Sequence, residues 1–135
     1  MGYRSDVSIL IYGDDEDIVA FTAGERLKGH KGTEYHPLDE PLTDYHERFT
    51  WHTNDGDTML EFNWFGIKWY DTYPEIAYWE QLKSLFEQAF PSLHMEFARI
   101  GEQTDDIVTE YFGNDCQYYL AIEIDTLVRN MTGLV

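Results

Sequence analysis

Five histidines, one cysteine and several knots of carboxylate are the residues whose chemistry matters first. His46 and His52 lie around the start of a predicted strand, with Asp44, Glu47 and Trp51 beside them. Together they would offer an N/O donor set for a divalent metal, or a pocket for a small molecule. The plainer reading is surface histidines beside solvated acids, since no spacing here matches a known ligand code. Gly101-Glu102-Gln103-Thr104-Asp105-Asp106 gathers three carboxylates just past a predicted strand end. Like charges so close raise a pKa toward acid–base work, or else simply surround a capped turn. Asn54-Asp55-Gly56-Asp57 has oxygen ligands, but counting back from Gly56 puts Trp51 first in any EF-hand loop. It reads as a hairpin turn. Cys116 stands in or just after a predicted turn with no identifiable histidine partner, which argues against a nucleophile. His46-Glu47 lacks the second histidine of a zincin helix, and no phosphate loop, dinucleotide fingerprint or nucleophile elbow occurs. No catalytic residue, metal or cofactor is assigned, and a non-enzyme is expected.

Charge is more telling than any motif. The 135 residues hold 9 Lys and Arg against 26 Asp and Glu, a formal net charge of -17. That balance excludes direct nucleic-acid binding and docking on anionic membranes. A hydrophobic fraction of 43% with 16% aromatics excludes a disordered acidic tail. A lone cysteine cannot staple the chain internally. Ile9 to Tyr12, the longest early apolar run, is too short for a membrane span or a signal core. Asp6 stands where a myristoylation signal needs Ser or Thr. A cytoplasmic protein is expected.

Solubility asks for a net charge of only about 2 to 8 in a small domain, so -17 carries self-repulsion beyond that need. Between Arg99 and Arg129 there is no Lys or Arg, while Glu102, Asp105, Asp106, Glu110, Asp115, Glu123 and Asp125 accumulate. A second acid-only stretch runs from Glu34 to Glu47, and Arg26, Lys28 and Lys31 form the opposing basic flank. One use for such a surface is to occupy the basic channel of a nucleic-acid-handling protein. Carboxylates then stand in for phosphates, and binding is fast and salt-sensitive. The bland alternative is an acidic cytosolic protein from a host with an acidic proteome.

These residues need a scaffold. Asp6 to Tyr12 reads as a strand, and Asp14 to Asp17 as the acidic first turn of a helix that ends at Gly29. About 28 to 47 is a long loop broken by Gly29, Gly32, Pro37 and Pro41. Phe49 to His52 and Met59 to Tyr70 flank a turn at 54–57, with a bulge expected at Phe65-Gly66-Ile67. A helix starts near Thr72, with Thr72 and Glu75 spaced as a capping box and Pro74 in the first turn. Its apolar stripe is Ile76, Trp79, Leu82, Phe86 and Phe90, and Pro91 stops it. Leu93 to Phe97 is a strand. Ile107 to Phe112 and Tyr118 to Leu127 form a last strand pair, whose alternation sends Tyr118 and Tyr119 to opposite faces and leaves one exposed.

This order gives an α+β fold: a single ferredoxin-like domain over 1–135, with two helices on one sheet face and an extra C-terminal hairpin. Three stretches carry a resemblance: Met1-Gly-Tyr-Arg-Ser-Asp-Val7; Ile67-Lys-Trp-Tyr70 with Tyr73-Pro-Glu75; and Arg99-Ile-Gly-Glu102 with Asp105-Asp-Ile107. Outside the 28–47 loop, the chain resembles small uncharacterised acidic bacteriophage proteins. It is also similar to phage and plasmid proteins with a predicted ferredoxin-like fold. The resemblance carries over no functional residue. It implies a phage or prophage origin, and with it an accessory role as an inhibitor of host defence or host polymerases.

The reading is a DNA-mimicking inhibitor whose acidic face binds a host protein complex with a basic surface. Glu102, Asp105, Asp106, Glu110 and Asp115 are its expected contacts, with Tyr118 or Tyr119 as aromatic anchor. The alternatives are a small-molecule or metal site near His46 and His52, and a structural, self-assembling phage protein.

Overall fold

β-branched residues at alternate positions make β1 (Ser5–Asp14) the spine of the molecule, with Val7, Ile9 and Ile11 on one side. The computed structural model describes residues 2–28, 46–103, 105–113, 116–117 and 119–120. After β1 come α1 (Asp15–Lys28), β2 (His46–His52), β3 (Asp57–Ile67), α2 (Pro74–Ala89), β4 (His94–Gly101) and β5 (Ile107–Phe112). The five strands form one antiparallel sheet in the order β2-β3-β1-β4-β5. The predicted 28–47 loop lies almost wholly outside the described residues.

Both helices cover the same sheet face. Ile18 and Phe21 of α1, and Ile76, Trp79, Leu82 and Phe86 of α2, close over Val7, Ile9, Ile11, Leu60, Phe62, Trp64, Met95 and Phe97. Trp79 is the keystone, with ring centroids 5.1 Å from Phe62 and 5.5 Å from Trp64. Burying an aromatic of this size contributes about 1.5–3 kcal/mol by area alone.

Three local expectations are corrected. Helix α2 starts at Pro74 with Tyr73 as N-cap and no side-chain cap bond, so Thr72 is one residue too early to act in a capping box. Of the strand expected over Tyr118–Leu127 only Tyr119 and Leu120 are among the described residues, and these two are helical. Ile107–Phe112 pairs instead with β4, as a sheet-edge strand. The bulge is present: the β1–β3 register slips between Ser5 and Val7, and Gly66 takes a φ of 64° that a side chain rarely adopts.

The opposite face is not bare. Leu10, Tyr12 and Ala98 form a second small core with Leu120, with Met59 against it. Further out, Phe49 and Trp51 stack at 5.7 Å on edge strand β2, and Trp51 is 52% exposed.

Candidate functional site

β1 runs into α1 without a loop, so Asp14 ends the strand and Asp15, Glu16 and Asp17 form the first helical turn. Acids there are favoured by the helix dipole. The β1–β3 register sets Gly13 opposite Thr58 and Asp14 opposite Asp57. The β2–β3 turn is thereby brought against the helix start, and the Asp15 amide donates to the Gly56 carbonyl at 2.9 Å. Within the turn, the Asp57 amide donates to Thr53 Oγ1 at 3.1 Å. The Thr58 hydroxyl donates to the Asp15 carboxylate, and His52 Nδ1 lies 3.1 Å from the same hydroxyl.

Two segments nearly forty residues apart thus place Asp14, Asp15, Glu16, Asp17, Asp55 and Asp57 at one end of the sheet. The Asp57 carboxyl titrates above its usual range, first because it shares a hydrogen bond with Asp14 and then through desolvation. The charges of Asp14, Asp55 and Asp15 push the same way, an electrostatic sign of the crowding. No group of three or more acids, histidines or cysteines among the described residues is arranged to hold a metal ion.

Beside this acidic end opens a cleft of 450 Å³ between the β1–β3 ends and the residues around Ser92, His94, Gln117 and Tyr119. His94 stacks on Tyr12 at 5.1 Å, and Tyr119 meets Tyr12 edge-on at 5.5 Å. His94 Nδ1 is buried without a hydrogen-bond partner. Burial and the bond to Glu96 hold the Tyr12 hydroxyl protonated far above the usual tyrosine range.

Of the acids expected to form one face, Glu102, Asp105 and Asp106 share the β4–β5 turn while Glu110 lies apart on the helix side. Asp106 accepts both Arg99 guanidinium nitrogens at 3.0 Å and the Tyr3 hydroxyl at 2.6 Å. The Arg99 bonds, then the Tyr3 bond, hold its carboxyl below the usual range. Glu102 is exposed but accepts the Arg4 amide at 2.8 Å, while Asp105 faces solvent in the same β4–β5 turn. Glu110 points toward the helices and meets Lys83 Nζ at 2.7 Å; Lys83 also pairs with Glu80 and lies 3.7 Å from the centroid of the Phe97 ring. Tyr119 is on the other sheet face, at the far end of β1 from Glu102, a separation of about 25 Å at strand spacing. Asp115 and Tyr118 lie outside the described residues.

The His46–His52 site is also corrected. The two are the first and last residues of β2, about 20 Å apart at strand spacing, and cannot share a ligand. Each half of the acidic end was legible in sequence, Asp14–Asp17 as a helix start and 54–57 as a turn. Their meeting depends on strand register, for which the sequence carries no direct signal. Compared with protein-family models, curated proteins and solved structures, the chain matches none.

Proposed function

We propose that this is a non-enzymatic binding protein of phage type. Its acidic end occupies the basic surface of a nucleic-acid-handling or defence complex, with carboxylates in place of phosphates. The observation that carries this reading is the gathering of Asp14–Asp17 with Asp55 and Asp57, while Lys83 and Arg99 spend their charge on internal ion pairs. Neither of those cations reaches this end, so its carboxylates present a local negative field that favours fast, salt-sensitive association. The working surface moves accordingly from Glu102–Asp115 to the β1–α1 and β2–β3 junctions. A cytoplasmic setting suits such a partner, and no helix among the described residues is long and apolar enough to cross a membrane. The core reads as ferredoxin-like with an added edge strand, supported by the order β2-β3-β1-β4 that remains when β5 is set aside.

Charge reversal tests the reading. Glu16→Lys with Asp55→Lys alters two exposed carboxylates of this end. It should abolish low-salt capture of a nucleic-acid-binding protein from bacterial lysate, and DNA should compete with the wild-type capture. Capture unchanged by the double substitution would remove this end from the account.

A further inference from the structure

We infer that the cleft beside the acidic end is a receptor for a guanidinium group, an arginine side chain of the basic partner. This inference rests on the binding role proposed for that end. Among the described residues, its lining combines two carboxylates, Asp14 and Asp57, with the rings of Tyr12, His94 and Tyr119, and contains no lysine or arginine. At 450 Å³ it is of ligand-site size. Asp14 and Asp57 are direct cross-strand partners, so two acidic groups meet at the mouth of one cavity, with no Lys or Arg between them among the described residues. The hydrogen bond that Asp57 shares with Asp14, then desolvation and the charges of Asp14, Asp55 and Asp15, raise its proton affinity, and an incoming cation takes the place of that proton between the two carboxyls. A flat guanidinium suits this lining better than a compact ammonium. It can fork onto carboxylate oxygens while its plane stacks on an aromatic ring, and it sheds water more readily. Tyr12 is held in place by its bonds to Glu96 and the Gln117 amide, and Tyr119 is held against Tyr12, so the aromatic wall is preformed.

The test is an NMR titration of the labelled full chain with N-acetyl-arginine methylamide, using the matching citrulline compound as uncharged isostere. Expected are saturable amide shifts at Tyr12, Gly13, Asp57 and Tyr119, with citrulline at least about tenfold weaker, the scale of one charge-assisted contact. Asp57→Asn and, separately, Tyr119→Ala should each weaken arginine binding several-fold, while Asp105→Asn leaves it unchanged. Equal responses to arginine and citrulline, no shifts at the cleft, or shifts spread evenly over all exposed acids would each overturn the assignment. The two readings fail separately. If the partner is captured through Glu16 and Asp55 yet Tyr119→Ala changes neither capture nor arginine binding, the cleft is wrong and the acidic surface stands. If arginine saturates the cleft but no basic partner is captured, the reverse holds.

Discussion

Glu96 accepts the Tyr12 hydroxyl at 2.7 Å and the Leu120 amide at 3.0 Å, so a carboxyl with 0% exposure fastens Leu120 to the sheet. The Gln117 amide completes the arrangement by donating to the Tyr12 oxygen at 2.8 Å. A buried carboxyl persists only where its oxygens are met, and these bonds meet both. The same arrangement builds one wall of the cleft, since Tyr12, Gln117 and Tyr119 all line it.

Removing the Tyr12 hydroxyl should therefore be costly. Tyr12→Phe takes the donor from Glu96 Oε2 and the acceptor from the Gln117 amide. A loss of about 1–3 kcal/mol is expected, the range for a buried polar group deprived of its partner. The check is urea unfolding, where the midpoint should fall with little change in slope. An unmoved midpoint would mean Gln117 and Leu120 are held by apolar contact alone.

Packing on the helix side should dominate stability. Trp79→Ala is expected to cost about 3–5 kcal/mol, as truncation of a buried aromatic does. Leu85→Ala, on the exposed side of the same helix, should stay within about 0.5 kcal/mol. Equal losses for the two, by thermal or chemical unfolding, would contradict the assigned helix face.

Two glycines should respond with opposite sign. Gly113 has a φ of 101°, and a Cβ there would lie 2.6 Å from the Leu93 carbonyl oxygen. Gly113→Ala should destabilise by roughly 1–3 kcal/mol. Gly24 lies within α1 with nothing within 4 Å of an added Cβ, so Gly24→Ala should stabilise by up to about 1 kcal/mol. Paired melting curves decide both.

The helix stripe at 76–86, the central strand and the Gly66 bulge were legible because each is a local pattern whose period or residue type has one structural meaning. Less was legible at the site. Glu96 reads as an ordinary polar residue of a half-exposed strand, since alternation alone does not show that Tyr119 and Leu120 return to cover that face. The β4–β5 acids read as one patch because they are close in sequence. Yet Asp106 is held by Arg99, while Glu110 points toward Lys83 on the helix side. Asp14 and Asp57 read as unrelated because only strand pairing joins them.

Two carboxylates should give stability opposite pH dependences. Asp57 has a raised pKa, so folding favours its protonated form; that contribution is present below the ordinary carboxylate value near about pH 4 and is lost as pH rises through its higher folded value. Asp57→Asn should then raise the melting temperature at pH 7, with the gain vanishing in acid. Asp106 has a lowered pKa, so its contribution is present above about pH 4 and lost as pH falls through the lower folded value. Asp106→Asn should lower the melting temperature at pH 7, with the deficit shrinking in strong acid. Parallel pH profiles for the two variants would contradict the assigned partners.

The β1–α1 and β2–β3 junctions form the proposed working surface. Its most direct test is capture from bacterial lysate at low and high salt, with three baits run side by side. These are the wild type, Glu16→Lys/Asp55→Lys, and Glu102→Lys/Asp105→Lys. The expected result is one nucleic-acid-handling complex on the wild type, released by salt and by DNA, absent from the first variant and retained by the second. Loss on the second variant with retention on the first would place the surface at the β4–β5 turn instead and contradict the account.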